Sequence, residues 1–588
     1  MRPLLDLALP RTLDAWVDEL QAAQAPGVVV DGWLFEGPSA RRAAEQRLRA
    51  AGIEARLHSA YKPLVHHFLE QIDTSGLAQV TVHYPVHPKA SPRRFALEAY
   101  PLVSMIGAAE LVLEPKPVNN ALSCYQVDLR WHDGRLRTDT VFAPNRVHTD
   151  HLGETLLSPT GWLRLRKGNV VVADGARESD YEALFRHAMA FLQQHPWPET
   201  EPYFERLDIR VDFPGIAWAP PLEAGWINSH EALHEDLYFS LLELFQRRSG
   251  RATGDRRLQP GQIVPDVRPS EGAVRLRIAL NPHAAPAPTP CDPAPADNGP
   301  LALAGAPLSP GRTASELARI PGQRFEAASR QGRAVCGVYH PGDGPALLIS
   351  GAQHANETSG VVGALRAAQQ LAERPGAHFA LIPLENPDGY ALHRELCAHA
   401  PRHMHHAARY TALGDDLEYR DQPPYYEREA RHQALALSGA QLHVNLHGYP
   451  AHEWTRPLTG YVPRGFELWT VPKGFFLIVR YHTGWEARAR TLAGHVCRQL
   501  ALRPALMAFN AAQRASYNAH AGDLPFEVIH GTACMISEVN RPGSPALTLI
   551  TEFPDETIYG DPFILAHDTQ AATVLAAVEA LGLIAPSP

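Results

Sequence analysis

His354-Ala355-Asn356-Glu357 pairs an imidazole with a carboxylate three residues on. That spacing puts both side chains on one side of a helical turn. The segment comes after the apolar run Pro345-Ala346-Leu347-Leu348-Ile349-Ser350-Gly351 and precedes a stretch of helical character, Ser359 to Glu373. At the end of a buried strand the two groups would point outward together and share one metal ion. One further ligand completes an open catalytic site of the zinc type, in which three protein ligands leave a fourth position for water. In a chain with 30 histidines, about two His-x-x-Glu matches arise by chance. The weight therefore falls on the later segments that would complete such a site.

The elements that must position it are legible around it. Ala334 to Tyr339, Ala346 to Gly351, Phe379 to Leu384, Leu442 to Leu446, Ala533 to Ser537 and Leu547 to Thr551 read as strands. Val361 to Ala372 and Thr569 to Leu583 read as helices. Short apolar strands alternating with helices predict an α/β fold: a mixed, mostly parallel sheet with helices on both faces. Such sheets gather their sites at the carboxyl ends of the strands. Four segments end there with polar residues: His354/Glu357; Glu385-Asn386-Pro387-Asp388-Gly389-Tyr390; Leu442-His443-Val444-Asn445-Leu446-His447-Gly448; and Thr548-Leu549-Ile550-Thr551-Glu552.

Upstream, strands (Gln79 to Tyr84, Tyr125 to Trp131, Arg206 to Phe213) mix with helices (Leu13 to Gln24, Ser179 to Gln194, Glu231 to Arg247), which predicts an α+β region over 1–280. A Pro/Ala-rich segment, 281–311, reads as an extended linker, and 312–584 as the catalytic unit. At 588 residues, more than one core is expected. Hydrophobic content of 45% and charged content of 20% are those of an ordinary globular protein. A net charge of −9 without a basic block argues against nucleic acid as a partner. No apolar run is long enough to span a bilayer, and the N-terminus lacks a signal-peptide core. Six scattered cysteines form no Cys-x-x-Cys, so neither a disulfide framework nor a cysteine-type zinc site is indicated, and a cytoplasmic location is expected.

The order His-x-x-Glu, Asn-Pro-Asp-Gly, a strand ending in Leu-His and a late strand carrying Thr-Glu resembles the zinc carboxypeptidase superfamily of carboxypeptidase A-like metallopeptidases (funnelins). The resemblance covers roughly 312–584. It implies one Zn2+ held by His354, Glu357 and His447, and it implies Glu552 as general base and acid for a water whose pKa zinc lowers towards about 7. His443, Asn445 and His447 share one strand face, so direction alone leaves His443 open. Glu538 is the rival to Glu552. Arg402 stands where the resemblance places the donor for the oxyanion, with Arg409 as second candidate. Asp416 matches the carboxylate that fixes a ligand's tautomer, and Asn445 lies in the same supporting layer.

The chain departs from the pattern where substrate is gripped. In Gly414-Asp415-Asp416-Leu417-Glu418-Tyr419-Arg420, Glu418 and Tyr419 replace the family's Asn-Arg pair. Either Arg420 or Arg409 takes over the grip on a carboxylate, or Glu418 holds an amine instead. The aromatics Trp454, Trp469, Phe475, Phe476 and Trp485 wall the cleft or fill the core.

His230-Glu231-Ala232-Leu233-His234 also matches a zinc motif, His-Glu-x-x-His. No third ligand comes after it, and the apolar residues of its helix are reason enough for the helix to exist. The N-terminal region is expected to restrict access or to mediate oligomerisation.

The expected activity is hydrolysis of an amide bond in a peptide by a metallocarboxypeptidase. The alternatives are a zinc amidohydrolase or deacylase of N-acyl amino acids, and an inactive zinc domain serving as a binding module.

Overall fold

Period-two and period-3.6 apolar spacing alternate through the second half of the chain, and in the computed structural model this becomes strand, helix, strand. Residues 2–23, 27–118, 123–218, 227–283 and 299–584 are described. The strands are β1 (Gln323–Ala328), β2 (Ala334–His340), β3 (Leu347–Gly351), β4 (Phe379–Ile382), β5 (Leu442–Pro450), β6 (Phe476–Tyr481), β7 (Glu527–Ile529), β8 (Thr532–Glu538) and β9 (Leu547–Glu556). They form one sheet in the order β1-β2-β4-β3-β5-β9-β6-β8-β7. The central block β4-β3-β5-β9 is parallel, and β6 runs antiparallel to β9.

β3, β4 and β5 are buried along their whole lengths, which requires cover on both faces. Leu347, Ile349, Leu381 and Val444 pack with α2 (Ser359–Ala372) and the closing helix, Asp561–Ile584. Leu348, Ala380 and Ile382 pack on the other face with Ala430 and Ala434 of the helix Arg428–Ser438. This is the mixed α/β arrangement that the alternation predicts. The strand β6 was not expected from the sequence, where Phe476 stood only among the aromatics of the cleft or core.

Upstream, the described residues form three four-stranded and two two-stranded sheets with helices between them, an α+β region. Its long helix α1 (Ser229–Ser249) starts at Asn228, whose side chain accepts from the backbone N–H groups of His230 and Glu231, and ends at Gly250 in the left-handed region. The apolar cluster of this half is shared with the other: Leu392, Leu396, Ala408, Tyr461, Val471 and Tyr517 belong to it. Buried polar pairs cross the same junction. Arg456 donates to Glu243 at 2.7 Å, His452 meets Glu231 at 2.7 Å, and Asp236 accepts from the Leu458 N–H at 2.8 Å.

Most of the expected linker, 284–298, lies outside the described residues. Its last part is not extended. Leu301 and Leu308 are buried in the core of the second half, and the Leu308 carbonyl accepts from the Tyr390 hydroxyl at 2.7 Å.

Candidate metal centre

His354 and Glu357 lie in the turn between β3 and α2. The chain enters this turn through Ala352 at φ 50°, a left-handed conformation that costs a non-glycine residue about 1 kcal/mol. Backbone bonds from the Asn386 N–H to the Ala352 carbonyl (3.1 Å) and from Glu385 to Gly351 (3.0 Å) hold it there. Asn386 also caps α3 (Pro387–Cys397), accepting from the Gly389 N–H at 2.9 Å. The Asn-Pro-Asp-Gly signature is thus a scaffold: Asp388 points away from the pocket and accepts from Ser329 and Arg333.

His447 ends the apolar part of β5 and sits opposite Glu552 of β9 in register. Gly448 comes next because nothing larger fits: a Cβ there would lie 1.9 Å from Asp555 Oδ1. Its N–H donates to Glu357 Oε2 at 3.1 Å.

His354 Nδ1 lies 2.9 Å from Glu357 Oε1, His447 Nδ1 lies 2.9 Å from Glu357 Oε2, and the two Nδ1 atoms are 3.0 Å apart. All three residues are buried, and the ligand atoms of this group fall within 4.8 Å of one another. A proton between the facing nitrogens serves only one of them, whereas a cation satisfies both nitrogens and the carboxylate. The donor set therefore fits one metal ion with two nitrogen ligands and one oxygen ligand. Among the described residues no other group of three meets this test.

Behind the ligands runs a relay of side chains. His354 Nε2 is 3.3 Å from Asp416 Oδ2. Gln353 donates to Asp416 Oδ1 at 3.0 Å and accepts from Asn445 at 2.9 Å. Ser350 donates to Asn445 at 2.9 Å. Asp416 thus holds the outer nitrogen of His354, and Asn445 stands two hydrogen bonds further back. Gln353 was not singled out from the sequence, because a glutamine beside a motif carries no spacing signal.

Glu552 lines the same cleft as His354 and His447. Its carboxyl is pushed well above the usual range by burial and then by the Glu357 charge, with Arg409 and Lys473 opposing. The Lys473 ammonium is buried among the rings of Tyr449, Trp469 and Phe476, and burial lowers it to about 7.

The structure separates the remaining candidates. His443 lies deeper on β5, against Ser350 at 2.7 Å, and is not with the ligands. Glu538 bonds Thr483 and Asn540 at the exposed end of β8 and does not line the cleft. Arg402 is exposed on a turn outside the cleft. Arg409 is the arginine at the metal group, donating to Glu357 Oε1 at 2.8 Å, because the Asn386 side chain and the Ala355 N–H both hold its carbonyl against the loop.

Arg420 is buried away from the cleft, bound to Asp415, Glu427 and Thr411, so none of its donors is left for a substrate. Glu418 and Tyr419 do line the cleft. Glu418 is ion-paired with both Arg431 and Arg541. Burial would raise its carboxyl, but these arginines outweigh burial and lower it. It is a neutralised anion rather than an acceptor for a substrate amine.

His230 and His234 form no metal group. His230 Nε2 is 3.1 Å from the Phe213 carbonyl, His234 packs edge-on against His405, and Glu231 serves His452. The helix that carries them instead puts Tyr238 and Phe239 into the cleft, joined by Arg256. Trp454 and Trp469 complete that wall, whereas Phe475 and Phe476 are core and Trp485 packs beside it. The cleft holds about 150 Å³. A second cavity of about 400 Å³ shares Phe239, Arg256, Tyr410, Phe466 and Trp469 with it.

No family model matches the chain, and no curated protein sequence matches it significantly. Among solved structures it is similar to a metallo-carboxypeptidase from Burkholderia cenocepacia, with 14% identity over 47% of this chain and 70% of that one, at a TM-score of 0.30. It is also similar to a succinylglutamate desuccinylase/aspartoacylase from Rhodobacter sphaeroides, with 14% identity over 46% of this chain and 68% of that one, at a TM-score of 0.28. No helix among the described residues is long and apolar enough to cross a membrane.

Proposed function

We propose that this chain is a zinc-dependent hydrolase of an amide bond, with His354, Glu357 and His447 as metal ligands. The observation that carries the reading is their convergence on one point, facing Glu552 across a shared cleft. Zinc at such a ligand set supplies Lewis acidity and lowers the pKa of water towards about 7. Glu552 accepts the proton of the attacking water and delivers it to the departing nitrogen. Arg409 spends Nη1 on Glu357, and its remaining N–H groups supply donors where the carbonyl oxygen gains charge. Tyr238, Phe239, Trp454 and Trp469 narrow access to water.

The second cavity beyond Arg256 and Phe466 gives room for a substrate that continues past the cut bond. This favours a peptide, cleaved as by a metallocarboxypeptidase, over a compact N-acyl amino acid. The test is elemental analysis together with turnover on C-terminally free peptides and on N-acyl amino acids. The wild-type chain is expected to carry one zinc and to hydrolyse peptides, and His447→Ala to lose both metal and turnover with its circular dichroism unchanged. Zinc binding without turnover on any amide would favour a binding module. Asp416→Asn is expected to weaken metal affinity by roughly 10- to 100-fold in a chelator competition; an unchanged affinity would remove Asp416 from this role.

A further inference from the structure

β6 brings one charged residue to the cleft that no motif announces. In its register with β9, Phe476 faces Glu552, Ile478 faces Ile550 and Arg480 faces Thr548. Alternation along a strand puts Arg480 on the same sheet face as Glu552 and, one strand further, His447. It lies four residues from the Glu552 row, about 14 Å along the strand, and side chains lean along the strand direction. Arg480, Thr548 and Ile550 all line the cleft that holds the metal group.

The acids and cations of this cleft account for one another, apart from Glu552 beside the metal group and Arg480. Glu418 is held by Arg431 and Arg541. Asp416 is held by His354, with Arg256 at 3.4 Å. Arg409 is held by Glu357. The Arg480 guanidinium makes no hydrogen bond or ion pair with any described residue. It is half-buried, and its neighbours on the face are Ile478 and Thr548. A guanidinium kept partly from water without a counter-ion is a standing site for an anion. Its planar fork matches a carboxylate in two parallel hydrogen bonds.

We propose that Arg480 binds a carboxylate of the substrate, so that the cleft selects amides carrying an acidic group beyond the cut bond. This rests on the amide-hydrolysis reading of the same cleft and deepens it: the chain replaces the grip expected near residues 418–420 with one from β6. The carboxylate is either that of an acidic side chain or that of the chain terminus, and the two differ by experiment.

Calorimetric titration of the full-length Glu552→Gln chain, loaded with zinc, separates them without relying on turnover. The probes are N-acetylglutamate, N-acetylglutamine (side-chain carboxylate masked) and N-acetylisoglutamine (terminal carboxylate masked). Masking one carboxylate is expected to weaken binding by roughly 10- to 100-fold, the range for a hydrogen-bonded charge pair. The side-chain arm identifies an acidic residue, the other arm a chain terminus. In the same background Arg480→Met is expected to bind the acid and its amide alike, while Arg480→Lys keeps part of the preference. Binding of all three probes with equal affinity, no binding of any, or an acid-over-amide ratio unchanged in Arg480→Met would overturn the proposal. A carboxylate preference that depends on Arg480, together with a wild type that hydrolyses no amide, would leave this subsite standing and sink the hydrolase reading.

Discussion

Replacing Glu552 by glutamine is expected to lower kcat for amide hydrolysis by about 100- to 10,000-fold, the range for removing a general acid–base group. Glutamine keeps the shape of the side chain but cannot accept the proton of water at neutral pH. The fold is expected to tolerate it, because no described residue donates a hydrogen bond to the Glu552 carboxylate and the residue opens onto the cleft. Zinc content is expected to stay at one per chain, since Glu552 is outside the ligand group. Equal losses in kcat and kcat/KM would mark an interaction made in the transition state only. Glu538→Gln is the matched control, a carboxylate at the exposed end of β8, and is expected to leave kcat at the wild-type value. A Glu552→Gln chain as active as the wild type would sink the mechanism.

The second large effect is on stability. Glu243→Ala is expected to destabilise the chain by about 3–5 kcal/mol, the range for removing one partner of a buried ion pair. Arg456 is almost completely buried and places both terminal nitrogens on Glu243, at 2.7 and 3.1 Å. Without Glu243, the side-chain hydrogen bond left to Arg456 among the described residues is the one to Ser240, at 3.1 Å. A urea titration monitored by far-ultraviolet circular dichroism reads the loss, and an effect below about 1 kcal/mol would show that water or another group compensates the charge. The double variant Glu243→Met/Arg456→Met is expected to recover most of it, because removing both charges leaves neither unpaired.

The pH dependence has a defined sign. Burial raises the Glu243 carboxyl, but Arg456, His151 and Arg464 outweigh burial and hold it well below the usual range. A folded-state pKa below the unfolded one means that the stabilisation is complete above about pH 4.3. It is lost as the pH falls from there towards the folded value. The same pair ties α1 to the segment carrying Trp454 and Phe466, so its loss is also expected to loosen the cleft wall.

Much of the site was legible because ligand chemistry imposes local spacing. His354 and Glu357 come from one turn, and His447 is marked by its place at a strand end before a glycine. Glu552 was implied by the family resemblance, and the register places it opposite His447. The arginines were not legible in this way. Arg402 and Arg409 are one loop in sequence, and only the bonds from Asn386 and Ala355 to the Arg409 carbonyl decide which one reaches the metal group. Arg420 carried the expected chemistry for a substrate grip, yet Asp415 and Glu427 consume it. Glu418 looked like an acceptor for an amine until Arg541, more than a hundred residues away, paired with it.

By itself the sequence determined the parallel α/β core and pointed to the candidate metal group, because apolar periodicity and the His354/Glu357 spacing are properties of neighbouring residues. It also exposed the missing Asn-Arg pair. Tertiary structure alone decided how charges are shared across the cleft. It put Tyr238, Phe239 and Arg256 of the first half into the wall, turned the His-Glu-x-x-His helix into packing, and left Arg480 without a partner among the described residues. The physical reason is that a side chain's availability depends on which opposite charge comes within about 4 Å of it, and that is set by strand order and helix docking rather than by adjacency along the chain.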